Sequence, residues 1–179
     1  NPPPAVDFGW EERDIEEFLI SARIAMAKGH LSVGQGVSQL QRRLIEITGA
    51  RNAVVTSSGT SALEAIFQGL RVAGQTVLVQ SNTFVATAAA AYRAGANVVF
   101  VDIEPDYVGL DPEACLSAIE KFRPVALVAT HIGGIVAPQT PWLAHQCRTR
   151  DVAFVEDAAH ALGSRFQTTM AGAFGDVAA

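Results

Sequence analysis

Apolar positions along this chain follow two alternating rhythms. Short β-branched runs occur at "NAVVT" (52–56), "TVLVQ" (76–80), "NVVFV" (97–101), "VALVAT" (125–130) and "VAFVE" (152–156). Between them lie windows with helical spacing near 60–72, 84–94, 111–121 and 138–150. A strand that is apolar on both faces needs cover on both, and crossovers of ten or more residues make neighbouring strands parallel. The pattern predicts an α/β fold: a mostly parallel sheet with helices on both faces, doubly wound. Two helices are predicted ahead of it. Residues 11–28 place Ile15, Phe18, Leu19, Ala22 and Met26 near helical spacing, with acids at the start and Lys28 at the end, as the helix dipole favours. Residues 37–48 form the second and close on Gly49; "GHLSVGQG" between the two reads as a loop. The tail, "GSRFQTTMAGAFGDVAA", reads as a hairpin leading into a further strand. Because the first residue is not Met and the last falls inside that strand, the sequence reads as part of a longer polypeptide.

Composition narrows the function classes. About half the residues are apolar, enough for a sizeable core in 179 residues. Thirteen basic and eighteen acidic side chains give a net charge of −5, with no basic block, which argues against a nucleic-acid or anionic-membrane surface. Cys115 and Cys147 stand alone, without metal-ligand spacing, so reduced thiols are expected. The N-terminus has no signal-peptide pattern, and Arg93 and Gly95 break the longest apolar stretch. The expectation is a soluble, cytoplasmic protein.

In open α/β sheets, ligands collect where strands end and helices begin. The first such junction is "TSSGTSALEA", 56–65, where Ser57, Ser58, Gly59, Thr60 and Ser61 supply hydroxyls and a flexible backbone at a helix N-terminus. Unpaired amides and the dipole favour an anion there. Helix capping explains the same residues: Ser61 and Glu64 have capping-box spacing, and Ser58 or Thr60 could cap alone. The loop is neither a Walker loop nor GxGxxG, which leaves a monophosphate as the better fit.

A second junction follows the fifth run, in "FVEDAAHALG", 154–163. Asp157 after an apolar strand could simply cap a turn. In combination with the phosphate loop, Phe84 and His160, it fits a phosphorylated aromatic heterocycle with a protonated ring nitrogen. The loop would take the phosphate, Phe84 would stack and Asp157 would pair with the ring N–H. Pyridoxal 5′-phosphate is such a ligand.

These motifs, in this order, resemble those of the DegT/DnrJ/EryC1/StrS aminotransferases, pyridoxal-phosphate sugar aminotransferases of fold type I. "GHLSVGQGV" is similar to the family's N-terminal glycine loop and "SSGTSAL" to its phosphate loop. "SNTFVATAAAAYRAGANVVFVDIEPD" resembles the segment with the stacking aromatic, "THIGG" the mid-domain loop, and "VEDAAHALGSRF" with "AGAFGDVAA" the cofactor-binding acid and the strand after it. The resemblance implies that Ser58, Gly59 and Thr60 hold the cofactor phosphate, that Phe84 stacks on the ring, and that Asp157 binds its nitrogen. It places His160 near the ring hydroxyl, where many members have glutamine. Glu156 is expected to be structural, His131 to make a core or loop hydrogen bond, His30 and His145 to lie at the surface, and Trp10 and Trp142 to pack. Leu40 and Gln41 depart from the aromatic and acid usual after the glycine loop.

By this resemblance residues 1–35 are the N-terminal helix and glycine loop, and 36–179 the N-terminal part of the cofactor-binding large domain, without the C-terminal small domain. The lysine that carries the cofactor is expected past Ala179; Lys28 and Lys121, the lysines present, are poorly placed for it. The implied activity is transfer of an amino group from an amino acid, glutamate by preference, to a keto-sugar nucleotide, in a homodimer. Two alternatives share the scaffold: a pyridoxamine-phosphate nucleotide-sugar 3-dehydratase, with histidine in place of that lysine, and a non-catalytic cofactor-binding homologue.

Overall fold

The structure is a computed structural model that describes residues 9–29, 32 and 34–179. His30, Leu31 and Val33 of the predicted glycine loop lie outside the described residues. Five parallel strands form the sheet: β1 (Thr76–Gln80), β2 (Asn97–Val101), β3 (Ala126–Thr130), β4 (Ala153–Asp157) and β7 (Val177–Ala178), in the order β2-β1-β3-β4-β7. The hairpin β5 (Arg165–Phe166) and β6 (Thr169–Met170) precedes β7, as the tail predicts.

Side chains alternate across each strand, and two helix layers take the two sets. Val77, Val79, Ala126, Val128 and Val155 pack under α3 (Gly59–Gly69) and α4 (Val85–Arg93), through Leu63, Phe67, Ala90 and Ala91. Leu78, Leu127 and Phe154 pack on the other face against α5 (Pro112–Phe122) and α6 (Thr140–Arg148), through Cys115, Ile119, Leu143 and Cys147. Each fully buried Leu, Val or Phe is worth ~1.5–3 kcal/mol relative to exposure, so the two layers supply the main drive to fold. Burial pushes both thiols up, Cys147 to about 12, so both stay protonated and free.

Two expectations fail. Residues 52–56 form no strand, although their β-branched pattern matches the others, and Val54 is exposed. A strand needs a ladder partner, and among the described residues none pairs with this segment. Trp10 and Trp142 are not core residues; at 67% and 43% exposure both stand at the surface. The two leading helices, α1 (Glu12–Ala27) and α2 (Gln35–Thr48), form as predicted but contain no buried residue. α2 ends on Gly49 in the left-handed region at φ 74°, a conformation that favours glycine.

Direction along the sheet fixes the functional edge. α4 leaves the end of β1 and returns to the start of β2, so its N-terminus lies at the C-terminal edge of the sheet. α3 enters β1 through a turn pinned beside the start of β2, where the Gly74 amide donates to the Gly95 carbonyl and the Asn97 amide to that of Gln75. Its N-terminus therefore shares the edge with that of α4 and with the ends of β3 and β4.

Candidate functional site

Ser58 is the N-cap of α3: its Oγ accepts from the Ser61 amide at 3.1 Å and lies 3.1 Å from the Ser61 Oγ. The Ser61–Glu64 capping box does not form, because the helix starts at Gly59 and Ser61 lies inside it; Glu64 pairs with Arg93 at 3.1 Å. Capping by Ser58 leaves the Gly59 and Thr60 amides, the first two of the helix, without intrahelical acceptors. A Cβ placed on Gly59 would meet nothing within 4 Å, so the helix start is open to an approaching group.

The second helix start carries an aromatic. Phe84 is the N-cap residue of α4, makes no side-chain cap, and is 66% exposed. A large ring left in solvent at the mouth of a sheet edge is a surface for stacking.

The strand β4 runs one residue further than its apolar pattern predicts and includes Asp157, because Thr130 and Asp157 are ladder neighbours in β3 and β4. Successive residues of a strand face opposite ways, and this separates the two acids. Glu156 turns to one face and is fully buried. Its Oε2 accepts from the Gly172 amide and meets His131 Nε2, both at 2.8 Å; its Oε1 accepts from the Phe174 and Gly175 amides at 2.8 and 2.7 Å. A carboxylate has about four lone-pair sites, so Glu156 is saturated. It fastens the 172–175 turn under β4, where Gly175 comes so close to the Phe154 carbonyl that a Cβ would sit 2.4 Å from it. Glu156 is structural, and His131 makes a core hydrogen bond.

Asp157 faces the α3/α4 side and is 6% exposed. Its Oδ2 accepts from the Thr87 hydroxyl at 2.6 Å, and its Oδ1 from the Ala159 amide at 3.3 Å. Two of its acceptor positions are thereby occupied, and the carboxylate keeps capacity for a further donor. Thr87 lies in the first turn of α4, so the Asp157 bond joins the end of β4 to the helix that begins at Phe84. His160 is exposed in the turn beyond, and its Nδ1 accepts from the Gly133 amide at 3.4 Å. That assignment leaves Nε2 as the ring's donor.

Four residues that sequence reasoning missed hold this edge together. Gln80, buried at the end of β1, turns the two protons of Nε2 towards the carbonyls of Asn82, Val108 and Thr130, all within 3.2 Å, and accepts from the Thr130 amide. Thr83, Thr87 and Thr130 form a run of hydroxyls that ends on Asp157. The available signal was polar residues closing apolar strands: Gln80 ends "TVLVQ" and Thr130 ends "VALVAT".

The fold and this edge define an α/β protein with an open helix start, an exposed aromatic and a buried acid at the ends of parallel strands. Comparison with known proteins places it. Residues 12–179 match the family model described as the DegT/DnrJ/EryC1/StrS aminotransferase family, and the chain belongs to that family. It is 34% identical over 146 residues to the 3-amino-5-hydroxybenzoate synthase of Amycolatopsis mediterranei, covering 81% of this chain and 37% of that protein. It is 30% identical over 148 residues to the GDP-perosamine synthase of Caulobacter vibrioides, covering 82% and 39% respectively. Among solved structures, the crystal structure of a DegT DnrJ EryC1 StrS aminotransferase from Brucella abortus superposes with a TM-score of 0.83 at 28% identity, over 97% of this chain and 48% of that one. The chain spans less than half the length of these relatives. Among the described residues no helix is long and apolar enough to cross a membrane.

Proposed function

We propose that this chain forms the cofactor-holding part of a pyridoxal-phosphate-dependent aminotransferase that acts on a keto-sugar nucleotide, with an amino acid as amino donor and glutamate the favoured one. The observation that carries this reading is the difference between the two adjacent acids: Glu156 has no acceptor capacity left, whereas Asp157 keeps some at the edge where two helices begin. Family membership supports the aminotransferase reading, and the relative named GDP-perosamine synthase supports a sugar-nucleotide substrate.

The residues present fit the cofactor. Gly59 and Thr60 amides at the start of α3, with the Ser58 hydroxyl, suit a dianionic phosphate. Phe84, free in solvent, suits the face of a pyridine ring, and the spare acceptor of Asp157 suits a ring N–H. When bound, pyridoxal phosphate supplies an electron sink for the bonds at the amino-bearing carbon. Asp157 holds a proton at the ring nitrogen, and the α3 amides fix the phosphate end. His160 offers Nε2–H to an oxygen on the ring. Lys121 ends α5, which leads into the start of β3, so it lies at the edge opposite this site. The residues described here therefore bind and orient the cofactor. The site is completed in a homodimer.

Titration of the full-length protein with pyridoxal 5′-phosphate, followed by absorbance, tests the reading. Wild type should bind, Asp157→Asn should retain most of the affinity and lose turnover, and Glu156→Gln should bind whenever it folds. Failure of the folded wild type to bind, or an Asp157→Asn protein turning over at the wild-type rate, would overturn it.

A further inference from the structure

The hydroxyl run ending at Asp157 has a direction. Thr87 Oγ1 donates its one proton to Asp157 Oδ2 at 2.6 Å, so towards Thr83 it can only accept. Thr83 Oγ1 accordingly donates to Thr87 at 2.7 Å. That spends the Thr83 proton, so the 2.8 Å contact between Thr83 and Thr130 has Thr130 as donor. All three O–H bonds point along one line into the carboxylate, and each polarises the next. Thr87 is fully buried and Thr130 nearly so, which keeps water from replacing either bond. The line also spans the site: Thr130 is the ladder neighbour of Asp157, and Thr83 directly precedes Phe84.

We propose that Thr130, Thr83 and Thr87 form a one-directional hydroxyl line that fixes the Asp157 carboxylate as an acceptor for the ring nitrogen of the bound cofactor, with Thr87 the positioning residue that acts through Asp157. The inference rests on the reading that Asp157 faces a pyridine cofactor. Capping does not explain the line, since α4 has no side-chain cap. Nor does the Thr87 hydroxyl bond a backbone carbonyl of its own helix start; its proton goes to a strand 70 residues away.

The test uses the full-length protein and pyridoxal 5′-phosphate labelled with nitrogen-15 in the ring. Two quantities are read: the affinity from an absorbance titration, and the ring nitrogen chemical shift, which reports its protonation. Thr87→Val keeps the shape and removes the hydroxyl. It should weaken retention by no more than Asp157→Asn does, within about threefold, and move the nitrogen signal towards that of neutral pyridine. Thr87→Ser should restore both. Thr83→Val should shift both in the same direction by less. In an Asp157→Asn background, Thr87→Val should add nothing, because the line then has no carboxylate to act through. A wild-type signal and affinity in Thr87→Val would overturn the line and leave the cofactor assignment standing. So would a full Thr87→Val effect persisting beside Asp157→Asn. If Thr87→Val fails to fold, Thr83→Val at its half-buried position carries the comparison, and an unchanged nitrogen signal there is equally fatal. Absence of cofactor binding in the folded wild type would overturn both readings together.

Discussion

Glu156 and Asp157 are neighbours in sequence, ionisable alike, and buried alike, yet the fold treats them as opposites. Glu156 accepts three backbone amides and contacts His131, so every lone-pair site is spent on tying a turn to a strand. Asp157 receives one hydroxyl and one long amide bond, and sits where two helices start. Burial alone therefore says little about a carboxylate's task. Remaining acceptor capacity separates the structural acid from the one available to a ligand, and the alternation of side chains along β4 assigns each to its face.

The comparison can be broken most forcibly at Glu156. Glu156→Ala should strand three amides and a histidine nitrogen in the interior and cost about 3–5 kcal/mol, or prevent folding. Asp157→Ala removes fewer bonds and should cost about 1–3 kcal/mol. Urea unfolding of both variants checks the order; equal losses would mean that the difference in bonding carries no energy.

Activity should rank the same two positions the other way. Asp157→Asn in the full-length protein should lower kcat by roughly 10²–10³, as loss of a key electrostatic partner does, with unfolding shifted by about 1 kcal/mol or less. Glu156→Gln, where it folds, should leave kcat within about threefold, because its contacts lie away from the cofactor. Steady-state kinetics on both variants decides; a collapse of kcat in a stably folded Glu156→Gln would merge the two roles.

A smaller effect sharpens the structural half. The 172–175 turn that Glu156 gathers can close only because residue 175 lacks a side chain, with the Phe154 carbonyl 2.4 Å from where a Cβ would sit. Gly175→Ala should therefore force the turn away from β4 and cost about 1–3 kcal/mol. Thermal unfolding reads this, and an unchanged midpoint would show that the turn gives way freely.

Most of the architecture was legible in the sequence, and the failures have physical causes. Strands β1, β3 and β4 announce themselves because β-branched runs buried on both faces can hardly serve otherwise, and the edge strand β2, with Phe100 exposed, carries the same β-branched run. Residues 52–56 carry the same signal but form no strand, since composition reports a preference for the ladder and not the presence of a partner. Ser58, Gly59 and Thr60 were readable because helix starts need polar residues, although the pattern favoured Ser61–Glu64 equally well as a capping box. Asp157 stood out as an acid after an apolar run. Thr87 did not: inside "VATAAAAYR" a threonine looks like an ordinary helical residue, and its partner is 70 positions away in the chain. Contacts of that range depend on how α4 lies across the sheet, which no local pattern encodes.

The finest distinction concerns Ser58, where capping and anion binding share one helix start. Asp111 supplies an internal control. It caps α5 by accepting from the Ala114 amide at 2.7 Å, at a helix start that carries no proposed site. Removing either cap, as Ser58→Ala or Asp111→Ala, should cost about 1 kcal/mol of stability. Aspartate caps as well as serine does, so Ser58→Asp should keep the stability of α3. It also places a negative charge beside the Gly59 and Thr60 amides, where the dipole's attraction for an anion is then already satisfied. Unfolding and cofactor titration of the same samples separate the two roles. Ser58→Asp should be as stable as wild type yet hold pyridoxal 5′-phosphate at least about tenfold more weakly, by charge repulsion at close range. Asp111→Ala should lose stability and leave cofactor affinity unchanged. Full affinity in Ser58→Asp would mean that the phosphate end is held elsewhere, and that the helix start at Ser58, like Glu156, serves the fold alone.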